Sequence, residues 1–80
     1  MISDAERPCL LVGLKQVKKA LADKRARKVF LAEDCDMRLK GEIEELCSQS
    51  DISPIYIETM INLGNECGID VKASCACVCE

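Results

Sequence analysis

Histidine is absent from all 80 residues of this chain. With it goes the side chain most often used near neutral pH as a general base or a metal ligand. A glycine-rich phosphate loop ending in a Lys-Ser or Lys-Thr pair is also absent, so a P-loop nucleotide site is excluded. Glu33, Asp34 and Asp36 follow one another closely enough to suggest a hard cation, but such sites need more oxygen ligands than these supply. A structural role suits them better. Neither an enzyme nor a cofactor or metal is expected.

No apolar run approaches the ~18 residues that a membrane-spanning helix requires. Met1 to Glu6 are acidic and lead into no long apolar segment, which is not the pattern of a secretory signal. A cytoplasmic protein without a membrane partner is the expectation. Cysteine runs the other way, with seven residues but no pair at Cys-x-x-Cys spacing. An odd count in a reducing compartment argues against a disulfide framework. Cys75, Cys77 and Cys79 would share one face of a strand, and a zinc site with Cys9, Cys35, Cys47 or Cys67 as a fourth ligand is conceivable. Unpaired cysteine more often acts as a small buried apolar residue, so these residues are assigned to the core.

A chain of this length makes a single domain, residues 1–80, that buries only about 60% of its unfolded surface. Its 49% apolar and 31% charged content belongs to a folded globular protein. The formal net charge of −3 conceals a segregation. Between positions 15 and 28 stand Lys15, Lys18, Lys19, Lys24, Arg25, Arg27 and Lys28, opposed only by Asp23. Most of the acids lie further on. A localised basic face on an acidic protein follows, and a polyanion is its natural partner.

The segment at the head of that block is the most informative one. Cys9 to Val12 is an apolar run that reads as a short buried strand. Gly13 then marks a sharp turn into a helix, where Leu14, Val17, Ala20 and Leu21 share one face and Lys15, Lys18 and Lys19 another. Free N–H groups at a helix start favour anions, and the lysines strengthen that field.

Further along, Val29–Ala32 reads as a second strand. Asp36 is placed to cap a helix with Leu39, Ile43, Leu46 and Cys47 on its inner face, ending near Ser48. Gly41 lies inside it at a cost of about 1 kcal/mol relative to alanine. Ile55–Ile57 reads as a third strand, and Thr59 caps a short helix with Met60, Leu63, Gly64 and Cys67 on one side. Gly68 suits the position just past that helix. Val71–Cys79 reads as a final buried strand. Alternating strands and helices imply an α/β protein, a three-layer α/β/α sandwich around a mixed four-stranded sheet.

Three segments together resemble a known family. Gly13-Leu14-Lys15-Gln16-x-x-Lys19, Val29-x-Leu31-Ala32-Glu33-Asp34-x-Asp36 and Leu63-Gly64-x-x-Cys67-Gly68-Ile69 are similar to the small bacterial branch of the kink-turn-binding L7Ae ribosomal protein family. The resemblance spans nearly the whole chain. It implies a non-catalytic binder of RNA bent by a three-nucleotide bulge beside tandem sheared G·A pairs, in ribosomal RNA or a riboswitch, acting as a monomer. It further implies that Lys15, Gln16 and Lys19, with Lys18 beside them, meet guanine edges and phosphates, Gly13 and Leu14 allowing close approach. Lysine donates well to guanine O6 and N7, and glutamine both donates and accepts. Glu33 and Asp34 would accept from a base amino group or orient a lysine. Glu66, Cys67, Gly68 and Ile69 would cover the extruded nucleotide by shape and packing.

One departure stands out. Where the family commonly reads Lys-Lys-Leu-Gly-Lys-Ala-Cys-Gly-Ile, this chain has Ile61-Asn62-Leu63-Gly64-Asn65-Glu66-Cys67-Gly68-Ile69. Fewer cations there predict weaker binding and a flatter salt dependence, by about 0.7–0.9 in log–log slope for each phosphate left without a cation. Two other readings stay open at this point: the same fold serving as a protein–protein adaptor, and a thiol or metal function for the cysteine cluster.

Overall fold

Strands and helices alternate along residues 7–79, the residues that the computed structural model describes. The acidic start, Met1 to Glu6, lies outside them. A 3-10 turn at Arg7–Cys9 is followed by β1 (Leu10–Val12), α1 (Leu14–Ala22), β2 (Ala26–Ala32) and α2 (Met37–Gln49). Then come β3 (Ile55–Ile57), α3 (Met60–Cys67) and β4 (Cys75–Cys79). The sheet runs in the order β1-β4-β2-β3, with β4 antiparallel to both neighbours and β2 parallel to β3. α1 and α2 pack against each other and the sheet, while α3 packs on β2, β3 and β4. This is the expected mixed-sheet α/β/α sandwich.

The last strand in sequence is central in space. All five residues of β4 are buried, because helices cover both faces and strands flank both edges. Small side chains suit such a position, since bulkier ones would hold the helix layers apart. Six of the seven cysteines are buried and Cys9 is exposed. Burial raises the thiols above their ordinary range, Cys75 to about 11 and Cys77 to about 12, with the Cys79 thiol adding to the shift at Cys77. Cys35 and Cys47 are raised by the same loss of solvation. Protonated and apolar, these groups join Phe30, Leu31, Ile43 and Leu63 in the core. Among the described residues no group of three or more cysteines and carboxylates is arranged to hold a metal ion.

Local rules place the helix starts. Asp36 accepts from the Arg38 N–H at 2.8 Å, and Thr59 Oγ1 accepts from the Asn62 N–H at 3.0 Å, the N-caps expected for α2 and α3. The helix ends share one closure, a left-handed residue followed by a backward hydrogen bond. Lys24 (φ +57°), Asp51 (φ +58°) and Gly68 (φ +76°) supply the bend. The next N–H groups then donate to Ala20, Cys47 and Gly64 carbonyls at 2.9, 2.8 and 3.1 Å. On the edge strand β3, Tyr56 reaches α2, where its hydroxyl donates to Glu44 and its ring lies 5.5 Å from the Lys40 ammonium. The bond to Glu44, first among several causes, pushes the phenol up to about 12.

Four boundaries differ from the sequence reading. Cys9 belongs to the 3-10 turn, and β1 is a half-buried edge instead of a buried strand. β2 begins at Ala26, since pairing with β4 extends it through Arg27 and Lys28 despite their charge. α2 runs one residue past Ser48, to Gln49. β4 begins at Cys75, not Val71. The backbone before Cys75 is engaged elsewhere: Ala73 N–H donates to Met60 O at 3.0 Å, and the Val71 carbonyl lies directly on Gly64.

That last contact leaves no room for a side chain. A Cβ on Gly64 would overlap the Val71 carbonyl oxygen and stand 3.3 Å from Lys72 Cα. Gly41, by contrast, faces open space. Urea denaturation should therefore show Gly64→Ala destabilising by about 1–3 kcal/mol, and Gly41→Ala stabilising by up to ~1 kcal/mol. Equal effects would show that the return loop, which leads from α3 back to β4, does not rest on α3. A second measurement tests the buried thiols. In the native protein at neutral pH a disulfide-exchange reagent should titrate one cysteine rapidly, Cys9, and the other six only on unfolding.

Candidate nucleic-acid interface

The strands ending at Val12, Ala32 and Ile57 and the strand starting at Cys75 meet at one rim of the sheet. A chain of hydrogen bonds joins the segments leaving it. Gly13 N–H donates to Cys75 O at 3.0 Å and Ala32 N–H to Ser74 O at 2.9 Å. Glu33 N–H donates to Ile57 O at 2.8 Å. The rim thus brings together Gly13–Gln16, Glu33–Asp34, Thr59–Met60 and Lys72–Ser74.

α1 enters this rim with an open N-terminus. Gly13 sits at φ +108° and ψ 155°, a conformation a side chain would strain. It offers no side-chain cap, and no acid stands in the first turn. The first intrahelical bond runs from Val17 N–H to Gly13 O, so the N–H groups of Leu14, Lys15 and Gln16 find no acceptor within the helix. α2 and α3 satisfy theirs with Asp36 and Thr59; α1 presents its own beside two exposed polar side chains, Lys15 and Gln16. Leu14 is half-buried on the core. Lys19 is exposed one turn on. Lys18 leans instead toward α2, 3.5 Å from Glu42, an ion pair with both partners 47% exposed. Pairs this open contribute little.

The second segment divides its work. The Glu33 side chain is exposed at the rim. Asp34 accepts from Met60 N–H at 2.8 Å, across 26 residues. Met60 opens α3, so this carboxylate complements the positive end of that helix and ties the segment after β2 to the start of α3.

The third segment lies away from the rim. Glu66 to Ile69 occupy the far end of α3, roughly 10 Å back at 1.5 Å per helical residue. Cys67 is buried, Gly68 closes the helix, and Ile69 packs on the core. The loop that follows, 70–74, comes forward instead, with Val71 68% exposed and Lys72 exposed next to it. Alternation of Val71, Ala73 and Cys75 with polar residues makes that loop look like strand. The signal against it is Gly64, whose missing side chain lets the loop approach. A separate cleft of about 410 Å³ lies beside β3 and α3, between Tyr56, Glu58, Asn65 and Glu66. No helix among the described residues is long and apolar enough to cross a membrane.

Residues 3–80 match the protein family described as ribosomal protein L7Ae/L30e/S12e/Gadd45. An RNA-binding protein of Caldanaerobacter subterraneus subsp. tengcongensis is 39% identical over 69 residues, 86% of this chain and 84% of that one. An RNA-binding protein of Halalkalibacterium halodurans is 38% identical over 65 residues, 81% of this chain and 79% of that one. Among solved structures, a protein of unknown function from Bacillus halodurans superposes with a TM-score of 0.84 at 24% identity, over 95% of this chain and 76% of its own. The 15.5 kD RNA-binding protein of Giardia lamblia does so with a TM-score of 0.84 at 19% identity, over 91% and 62%. Both of these likenesses concern the fold.

The bond from Met60 N–H to Asp34 makes a separable prediction. Asp34→Ala should cost about 1 kcal/mol, as loss of a helix-start acceptor does, and speed hydrogen exchange at the Met60 amide. Asp34→Asn, which keeps an acceptor oxygen, should recover most of both. If Asp34→Ala leaves exchange at Met60 unchanged, the carboxylate does not anchor α3.

Proposed function

Because the chain belongs to the ribosomal protein L7Ae/L30e/S12e/Gadd45 family, we propose that it is a non-catalytic RNA-binding protein whose target is a kink-turn, in ribosomal RNA or a riboswitch. It acts as a cytoplasmic monomer and needs no cofactor. One observation carries the reading: the uncapped, acid-free N-terminus of α1, with Lys15 and Gln16 exposed beside it. In a major groove widened by a kink, Gly13 and Leu14 let the backbone come close. Lys15 and Gln16 then meet guanine edges, and Lys19 meets phosphate. Glu33 accepts from a base amino group, and Asp34 keeps α3 and the return loop in place. Exposed Val71 offers an extruded base an apolar contact, on a loop set by Gly68 and Ile69. Lys18, half-committed to Glu42, contributes long-range charge only.

The adaptor reading draws on a different place, the cleft between Glu58 and Glu66. Its acids suit a basic protein segment, and stable co-purification of a protein after nuclease treatment would favour it.

The deciding experiment is a binding titration with a kink-turn RNA and with the same RNA carrying Watson–Crick pairs in place of its G·A pairs. The expected result is preference for the kink-turn, with Lys15→Ala and Gln16→Ala each lowering affinity roughly 10- to 100-fold, the worth of about 1–3 kcal/mol per base contact. Equal binding to both RNAs, or none at low salt, would overturn the proposal.

A further inference from the structure

The basic block between positions 15 and 28 is continuous in sequence but divided in space. Lys15, Lys18 and Lys19 belong to α1, whereas Lys24, Arg25, Arg27 and Lys28 gather where the chain turns from α1 into β2. That turn lies at the end of the sheet opposite the rim, since β2 starts there and ends at Ala32. The separation is about 20 Å along β2 at ~3.3 Å per residue.

The backbone there presents the cations outward. Lys24 holds the left-handed position closing α1, and Arg25 N–H donates to Ala20 O at 2.9 Å. The β2–β4 register slips between Ala26 and Lys28, leaving Arg27 as the extra residue of a bulge, a device that redirects side chains at sheet ends. All four basic residues are exposed. No carboxylate among the described residues forms an ion pair with Lys24, Arg25 or Arg27; Asp51 shares a cavity with Lys24 without reaching it. The helix closure uses only backbone groups, so the fold does not require these charges. α1 connects the two basic regions, with Lys19 exposed between them. Glu42, Glu44 and Glu45 make α2 the less favourable side for a polyanion.

We propose that Lys24, Arg25 and Arg27 form a second RNA phosphate-contact site, reached by a stem that leaves the rim and runs along α1. The inference rests on the RNA-binding reading and adds a length requirement to it. At the ~2.8 Å rise per base pair of an A-form RNA stem, about seven base pairs separate the two regions. RNA with shorter stems is held at the rim alone.

The test compares one kink-turn RNA with stems of ~4 base pairs against versions with either stem lengthened to ~12, titrated across salt concentrations. The native protein should bind one lengthened RNA about tenfold more tightly near 100 mM salt, with a log–log slope steeper by roughly 2. In the variant Lys24→Gln, Arg25→Gln, Arg27→Gln that gain should vanish while the short RNA binds as before. Lys24→Gln with Arg27→Gln alone should remove about two thirds of it, and serves if thermal melting shows the triple variant unfolded. A gain that survives substitution, no gain in the native protein, or an equal loss on both RNAs would overturn the second site. Absence of kink-turn preference with the stem-length gain intact would overturn the target and leave the second site standing.

Discussion

Two successive carbonyls at the start of β4 hold the rim of the sheet together. Cys75 O receives the Gly13 N–H and Ser74 O receives the Ala32 N–H, so segments about twenty positions apart enter the rim from opposite sides of one strand. This works because β4 is central, and β4 can be central because its side chains are small and shed water without strain. The abundance of cysteine, which in another compartment would suggest disulfides, serves that packing.

The rim separates polar groups spent on helix starts from those left exposed. Asp36 and Thr59 cap their own helices, and Asp34 reaches across to α3. Gly13 has nothing with which to cap α1, and the same missing side chain that permits φ +108° leaves the helix start open. A conformational requirement and an anion-attracting surface thus come from one residue. The net charge of −3 says little about either basic region, because segregation, not the sum, sets the local field.

Much of the fold was legible because its rules are local. Apolar runs, N-caps at Asp36 and Thr59, and Gly68 at a helix end each depend on a few neighbouring residues. What escaped was set by contacts between distant parts. Lys24 and Asp51 adopt left-handed conformations that their types seldom signal, and the basic start of β2 is strand only because β4 lies beside it. Val71 to Ser74 alternate like strand, yet Met60 and Gly64 take up their backbone. The candidate site shows the same division: Lys15, Gln16 and Glu33 are visible in a motif, whereas Val71 and Lys72 are brought forward by a folded loop.

The sequence by itself determined the alternation of elements, the glycine turn into a basic helix, the apolar role of most of the cysteines, Cys9 being exposed, and the likeness to an RNA-binding family. Each follows from residue type and short-range spacing, which survive without knowledge of neighbours. Tertiary structure decided that the last strand is central, that Asp34 supports α3, that Glu66 to Ile69 stand behind the rim, and that one basic stretch becomes two basic regions. Those outcomes depend on hydrogen bonds and packing between residues far apart in the chain, and these form only once the sheet assembles around β4.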